Sequence, residues 1–282
     1  MSAQTPADPQ PGPIVSIVGA GPGAVDLITL RAADRLRAAE VLLWTDSLVA
    51  PEIASLTDES CERIATSGLT LEEICELMIQ RARSGRRVVR LHDGDPCLYS
   101  ALNEQRRRLA EAGLGIEVVP GVSAYQAVAA ALPSELTVPG LVQTIVLSRA
   151  SGRTGTPERE TLSRLAGLRA SLCLYLSARH VQDVQDSLLE HYPADTPVAI
   201  GYRVSWPDQW LRLVELREMA ACSREQGLTR TTLYLVSPAL AAPSPHRSRL
   251  YSASHGHLFR PASGAGAGER LVAQDKAEQA LG

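Results

Sequence analysis

The sequence has almost no lysine: Lys276 is the single one among 28 lysines and arginines, in a chain of 282 residues with a formal net charge of -3. That balance gives no overall positive field to draw in nucleic acid. The arginine bias has a bland source in genomic codon preference; locally, guanidinium forks suit carboxylate ligands. No apolar run approaches the roughly 20 residues that span a bilayer, so no membrane segment is expected. The cysteines (Cys61, Cys75, Cys97, Cys173, Cys222) form no C-x-x-C pair, so neither a zinc site nor a disulfide framework is indicated. A reducing, cytoplasmic setting fits, with the cysteines as small hydrophobes. The opening "MSAQTPADPQPGP" lacks the basic and apolar regions of a secretory signal and reads as a disordered leader.

What is present points to an α/β protein. "IVSIV", "VLLWT", "VVRLH" and "IEVVP" are apolar on both faces, as strands of a buried parallel sheet must be. Between them, "LTLEEICELMIQRARSG" begins with Thr70 as N-cap and Glu73 at the capping-box position and stops at Gly85, and "ALNEQRRRLAEAG" stops at Gly113. After "PGVSAYQAVAAAL" the strand-like runs "QTIVLSR", "SLCLYLSA", "PVAIGYRVSWPDQWLRLVEL" and "TTLYLVSPAL" follow, the third with Pro207-Asp208 between two halves of a predicted antiparallel hairpin. A mixed second sheet is therefore expected. The reading is a leader at 1–13, an N-terminal α/β domain at 14–121, a C-terminal α/β domain at 122–241, and a tail at 242–282 that is low in complexity after 261.

The turn "GAGPGAVDLIT" satisfies G-x-G-x-x-G/A through Gly19, Gly21 and Ala24, with Asp46 near the end of the next strand, where a dinucleotide-binding acid would sit. A phosphate site of that kind needs a helix N-terminus directly at the glycines. Here the best helix cap is Thr29, well past the glycines, and Pro22 removes a backbone donor. Three readings remain at this point: a dinucleotide cradle, a turn that serves only strand exit, or a loop lining a non-phosphate ligand, which the gap favours.

Two more glycine loops end buried strands, "HDGDP" (His92 to Pro96) and "PGVSA" (Pro120 to Ala124). Ligands of open α/β sheets bind outside the carboxyl ends of strands, so the three loops are expected on one edge. His92, Asp93 and Asp95, like His255 and His257, have the residue types of metal ligands but lack a second cluster, and no metal is expected. Asp95 serves either a ligand or the cap of the next helix.

Together, "GAGPGAVDLIT", "TDSLV", "RLHDGDPCLYSA", "VVPGVSA", "LPSELTVPGLVQTIVLSRASGRTGTPE" and "GYRVSWPDQ" resemble the tetrapyrrole methylases, enzymes that use S-adenosylmethionine (SAM) to methylate cobalamin and sirohaem precursors. The stretch from 132 to 158 and the "SWPD" turn look most like the group acting at C(11) of precorrin-4 or cobalt-precorrin-4. The resemblance implies a homodimer of two-domain subunits, with SAM in the cleft between the domains, S-adenosylhomocysteine as product, the tetrapyrrole in an adjoining trough, and no metal of the protein's own. It carries SAM contacts onto Pro22, Asp93, Gly94, Asp95, Leu98, Ser123, Ala124, Leu176 and Val204. Asp46 matches a position that handles a proton or orients the substrate, while Tyr99, Arg149, Arg153 and Arg203 are candidates for the substrate and its carboxylates. Ala24, Val25 and Ser100 depart from the family's commoner residues without removing a contact. Outside this class, a nucleotide-linked oxidoreductase is the rival reading, and within the fold a diphthamide-type protein methylase.

Overall fold

Five short strands pair side by side in the first half of the computed structural model, which describes residues 14–150, 155–241, 248, 252–256, 260 and 262. They are β1 (Ile14–Gly19), β2 (Val41–Trp44), β3 (Glu62–Ala65), β4 (Val88–His92) and β5 (Gly115–Val119), all parallel, in the order β3-β2-β4-β1-β5. Helices α1 (Leu30–Arg37), α2 (Pro51–Ala54), α3 (Leu71–Arg83) and α4 (Leu102–Glu111) connect them. Both faces of the sheet are covered, which is why its inner strands β1, β2 and β4 read as mostly apolar runs. Val18, Leu42, Val89 and Leu91 pack with Leu36 of α1 and Ile53 of α2, while Val15, Val41, Leu43 and Val88 pack with Met78 of α3 and Leu109 of α4. Fully burying each such side chain contributes about 1.5–3 kcal/mol.

The helix ends follow local chemistry. Thr29 Oγ1 accepts from Ala32 N at 3.2 Å, so α1 starts where its cap predicts, and a 3₁₀ turn, Val25–Leu27, fills the gap before it. Thr70 and Glu73 form the expected capping box, and Gly85 and Gly113 take positive φ angles of 82° and 77° just past the ends of α3 and α4. β3 was not expected: "ERIA" is a four-residue edge strand that alternates half-buried and exposed residues.

Helix α5 (Ala124–Ala131) leaves the first sheet and packs Ala127 and Val128 against Cys173, Ala199, Leu233 and Leu235 of the second. That sheet contains β6 (Ile145–Arg149), β7 (Ser171–Tyr175), β8 (Pro197–Tyr202), β9 (Trp210–Glu215) and β10 (Thr232–Val236) in the order β6-β7-β10-β8-β9. Only β6 and β7 are parallel, so the sheet is mixed, and β8 and β9 form the hairpin around Pro207-Asp208. Helices α6 (Leu162–Ala166), α7 (Val181–Leu189) and α8 (Met219–Glu225) belong to this half, and Val184, Leu188 and Met219 cover its other face. Residues 1–13 and most of 242–282, including His257, lie outside the described residues.

Candidate active site

The glycines at three strand ends let three backbones touch. A Cβ on Gly19 would lie 2.6 Å from the Gly94 oxygen and 2.7 Å from the Gly121 nitrogen, and one on Gly121 would lie 2.1 Å from the Gly94 oxygen. Gly21 and Gly94 also form an isolated antiparallel bridge, with Gly21 N donating to Gly94 O at 3.2 Å and Gly94 N to Gly21 O at 2.9 Å. The Gly21 N–H, which a phosphate cradle would need, is therefore already used, and α1 begins only at Leu30. The geometry rules out the dinucleotide reading of this turn.

Asp95 ties the second loop to the third. Its Oδ1 accepts from Cys97 N at 2.7 Å and its Oδ2 from Gly121 N at 3.0 Å. It does not cap α4, whose N-cap is Ala101 in a left-handed conformation.

The β8–β9 turn of the second sheet closes on the first loop. Trp206 Nε1 donates to Pro22 O at 2.9 Å and Ala24 N donates to Ser205 Oγ at 3.0 Å. Trp206 lies against Gly23, where an added Cβ would come within 2.1 Å of its ring, and Arg203 stacks over the ring with its guanidinium carbon 3.9 Å from the centroid. Arg203 also pairs with Asp208.

Between the two sheets lies a cavity of about 620 Å³, within the range of small-molecule sites. Pro22, Asp93, Gly94, Asp95, Leu98, Tyr99, Ser123, Ala124, Leu176, Arg203 and Val204 all border it. Asp46 and Arg149 are not among the lining residues, and Arg153 lies outside the described residues. Asp46 Oδ1 and Oδ2 accept from Ser67 N at 2.8 Å and Ser67 Oγ at 2.7 Å. Partial burial works to raise its carboxyl, but these bonds outweigh it and hold the group below its ordinary value. Asp93 sits in the cleft with solvent at its surface and protein around it; the loss of hydration pushes its carboxyl up, against the pull of Arg90. Burial raises the Tyr99 phenol and Arg149 opposes the rise.

Sequence reasoning missed much of the wall. Tyr175 OH lies 2.8 Å from Ser123 Oγ, accepts from Tyr125 N at 3.3 Å, and its ring stands 5.6 Å from that of Tyr99. Arg90 borders the cavity too, and a charged residue inside "VVRLH" was a visible signal. Five of the eight described non-glycine residues with positive φ, namely Tyr99, Ala101, Leu176, Arg203 and Thr231, line the cleft, so backbone strain is concentrated there. A second, more open hollow of about 740 Å³ adjoins it through Ala178, Arg179 and Thr229 and presents Arg179, His180 and Arg224. The described residues include no cluster of three or more His, Cys, Asp or Glu able to hold a metal ion.

The model of the tetrapyrrole (corrin/porphyrin) methylases matches residues 15–220. The chain belongs to that family. Among relatives of this tetrapyrrole methylase, a precorrin-4 C(11)-methyltransferase of Pseudomonas aeruginosa is 43% identical over 88% of this chain and 98% of its own length. A cobalt-precorrin-4 C(11)-methyltransferase of Priestia megaterium is 39% identical over 86% and 96%. The solved structure of a cobalt precorrin-4 methyltransferase superposes with a TM-score of 0.78 and 38% identity, covering 80% of this chain and 95% of that one. A uroporphyrin-III C-methyltransferase from Thermus thermophilus, solved with S-adenosylhomocysteine, superposes with a TM-score of 0.69 at 27% identity, covering 80% and 98%.

Proposed function

We propose that this methylase is a SAM-dependent C-methyltransferase of cobalamin biosynthesis that methylates C(11) of precorrin-4, giving precorrin-5 and S-adenosylhomocysteine. The observation that carries this reading is the 43% identity across nearly the whole length of a precorrin-4 C(11)-methyltransferase, in a chain whose three loops enclose one cleft. The similarity to a cobalt-precorrin-4 enzyme makes the cobalt-bearing substrate the alternative.

The lining fits the cofactor. Leu98, Leu176 and Val204 give apolar walls for a flat heterocycle, and Asp93 gives a negative group for a cation. Helix α1 begins only at Leu30, so its N-terminus is not set at the glycine turn to repel a positive sulfur. Bound there, SAM supplies an electrophilic methyl whose sulfonium sulfur keeps the bonding pair on transfer to a ring carbon. The residues' task is to hold donor and acceptor in line and exclude water, for which about 7–11 kcal/mol of barrier is available from positioning alone. Pro22, Gly94, Asp95, Ser123 and Ala124 form the cofactor loops; Tyr99, Arg203, Arg149 and Arg153 meet the tetrapyrrole and its carboxylates. Asp46, kept ionised by Ser67, orients the substrate or takes its proton. A homodimer and the absence of a metal of its own belong to the same reading. So does a cytoplasmic setting, which the five free cysteines support.

Incubation with methyl-labelled SAM and precorrin-4 or cobalt-precorrin-4, followed by NMR of the product, tests this. The label is expected at C(11); a label on another carbon, or SAM binding without transfer to either substrate, overturns the assignment.

A further inference from the structure

β4 carries two polar side chains, Arg90 and His92, on the face that otherwise packs against α3 and α4, and each is only 5% exposed. The function described above uses neither. Arg90 NH1 donates to Leu43 O at 3.3 Å and Thr66 Oγ1 at 3.1 Å, and NH2 to Thr45 Oγ1 at 3.2 Å, so the ends of β2, β3 and β4 are tied by one cation. Its Nε is buried and unpaired, and no carboxylate among the described residues is bonded to it.

His92 is two residues further along the same face and borders the cleft. Its Nε2 lies 3.3 Å from Nε2 of Gln105 on α4, and the same Gln105 nitrogen donates to Ser100 O at 2.8 Å. An amide NH₂ has two protons and no lone pair to offer, so it donates to His92 Nε2 and the ring's own proton sits on Nδ1. No partner for that Nδ1–H exists among the described residues. Burial first, then the neighbouring Arg90 charge, lowers the imidazole to about 3, so the ring is neutral at ordinary pH. The other titratable groups around the pair are Asp93 in the loop that follows, Asp46 at the end of β2 and Cys75 on α3.

His92 borders the cleft and its Nδ1 is not sealed in the core, so this N–H is open to an acceptor in the cavity, and a hydrogen bond to a charged acceptor contributes about 1.5–3 kcal/mol. The adjoining Arg90 charge selects a negative acceptor and disfavours an ammonium. We propose that His92 is a ligand-binding residue of the cleft: its Nδ1–H, aimed by Gln105, donates to a carboxylate oxygen of the bound ligand. The inference rests on the reading that SAM and a poly-acidic tetrapyrrole share this cleft, since each brings carboxylates.

Ring-nitrogen NMR of ¹⁵N-histidine-labelled full-length protein tests it, with His92→Asn identifying the signal. The free protein is expected to show the Nδ1–H tautomer from pH 5 to 8. S-adenosylhomocysteine is expected to shift Nδ1 and 5′-methylthioadenosine, which lacks the carboxylate, to leave it; a shift that appears only with precorrin-4 assigns the donor to the substrate. Gln105→Glu, which accepts where glutamine donates, is expected to move the proton to Nε2. By calorimetry the shifting ligand is expected to bind His92→Leu about tenfold or more weakly, and His92→Asn, which retains a donor near Nδ1, to recover most of that. An Nε2–H ring in the wild type, or an Nδ1 signal that neither ligand moves, overturns the proposal. If the shift occurs without methyl transfer to precorrin-4, the functional reading fails and the ligand contact stands.

Discussion

Gly23 joins the two halves of the molecule by having no side chain. At a φ of 151° it faces the Trp206 ring, and an alanine there would put its Cβ 2.1 Å from Cδ1. Gly23→Ala is expected to cost about 1–3 kcal/mol and to weaken S-adenosylhomocysteine binding, read by thermal unfolding and calorimetry; unchanged values for both would remove the clasp from the account. At the same scale, His92 makes stability depend on pH. Its folded value near 3 lies below the ordinary 6.5, so the unfolded chain binds the extra proton and stability rises with pH across that window. The stability of wild type is expected to fall as pH drops from about 6.5, and that of His92→Asn to fall less, by urea unfolding at successive pH values. Pro22 and Asp95 were legible as residues of the cleft because they sit in recognisable loops. The partner of Pro22 was not, since Trp206 is 184 positions away and only the fold brings them together.

Among the elements, β3 has the weakest sequence signal and a clear electrostatic anchor. Glu62 accepts from Arg81 of α3 at 2.7 Å and pairs with Arg86 ahead of β4. The Arg81 bond is the largest cause that brings the Glu62 carboxyl down to about 2 from 4.5, with Arg86 adding to it against partial burial. A depressed folded value means that this stabilisation is present above about pH 4.5 and is lost as pH falls toward 2. Its size is about 1–2 kcal/mol once solvent screening of these one-third-exposed groups is allowed for. Glu62→Gln is expected to lower stability by that amount at pH 7 and to match wild type near pH 2; equal stability at pH 7 would contradict the anchor. The fully buried strands were legible because burial on both faces forces apolar runs, and the late start of α1 was legible from Thr29. β3 was not, because a short edge strand with Glu62 and Arg63 has no periodicity to read.

The whole molecule places its candidate site where two sheets meet, and each side contributes what the other lacks. The first sheet supplies three backbone loops packed at Gly19, Gly94 and Gly121; the second supplies Leu176, Val204 and the Trp206 turn. Trp206→Phe keeps the packing and loses the bond to Pro22, so it is expected to cost about 1 kcal/mol, with weaker S-adenosylhomocysteine binding but no change in the carbon methylated. An altered carbon would mean that this turn chooses the acceptor position. The α/β class and the mixed second sheet were legible, as were the three loops. The residues closing the cleft from the second half, Tyr175, Thr231 and Leu233 among them, were not, because they come from the end of β7 and the start of β10, which share no motif. The most direct test of the account is the electron density of S-adenosylhomocysteine in crystals of the protein. The ligand is expected between the sheets, touching Pro22, the Asp93–Asp95 loop, Ser123, Ala124, Leu176 and Val204; density instead in the open hollow at Arg179, His180 and Arg224 would contradict it.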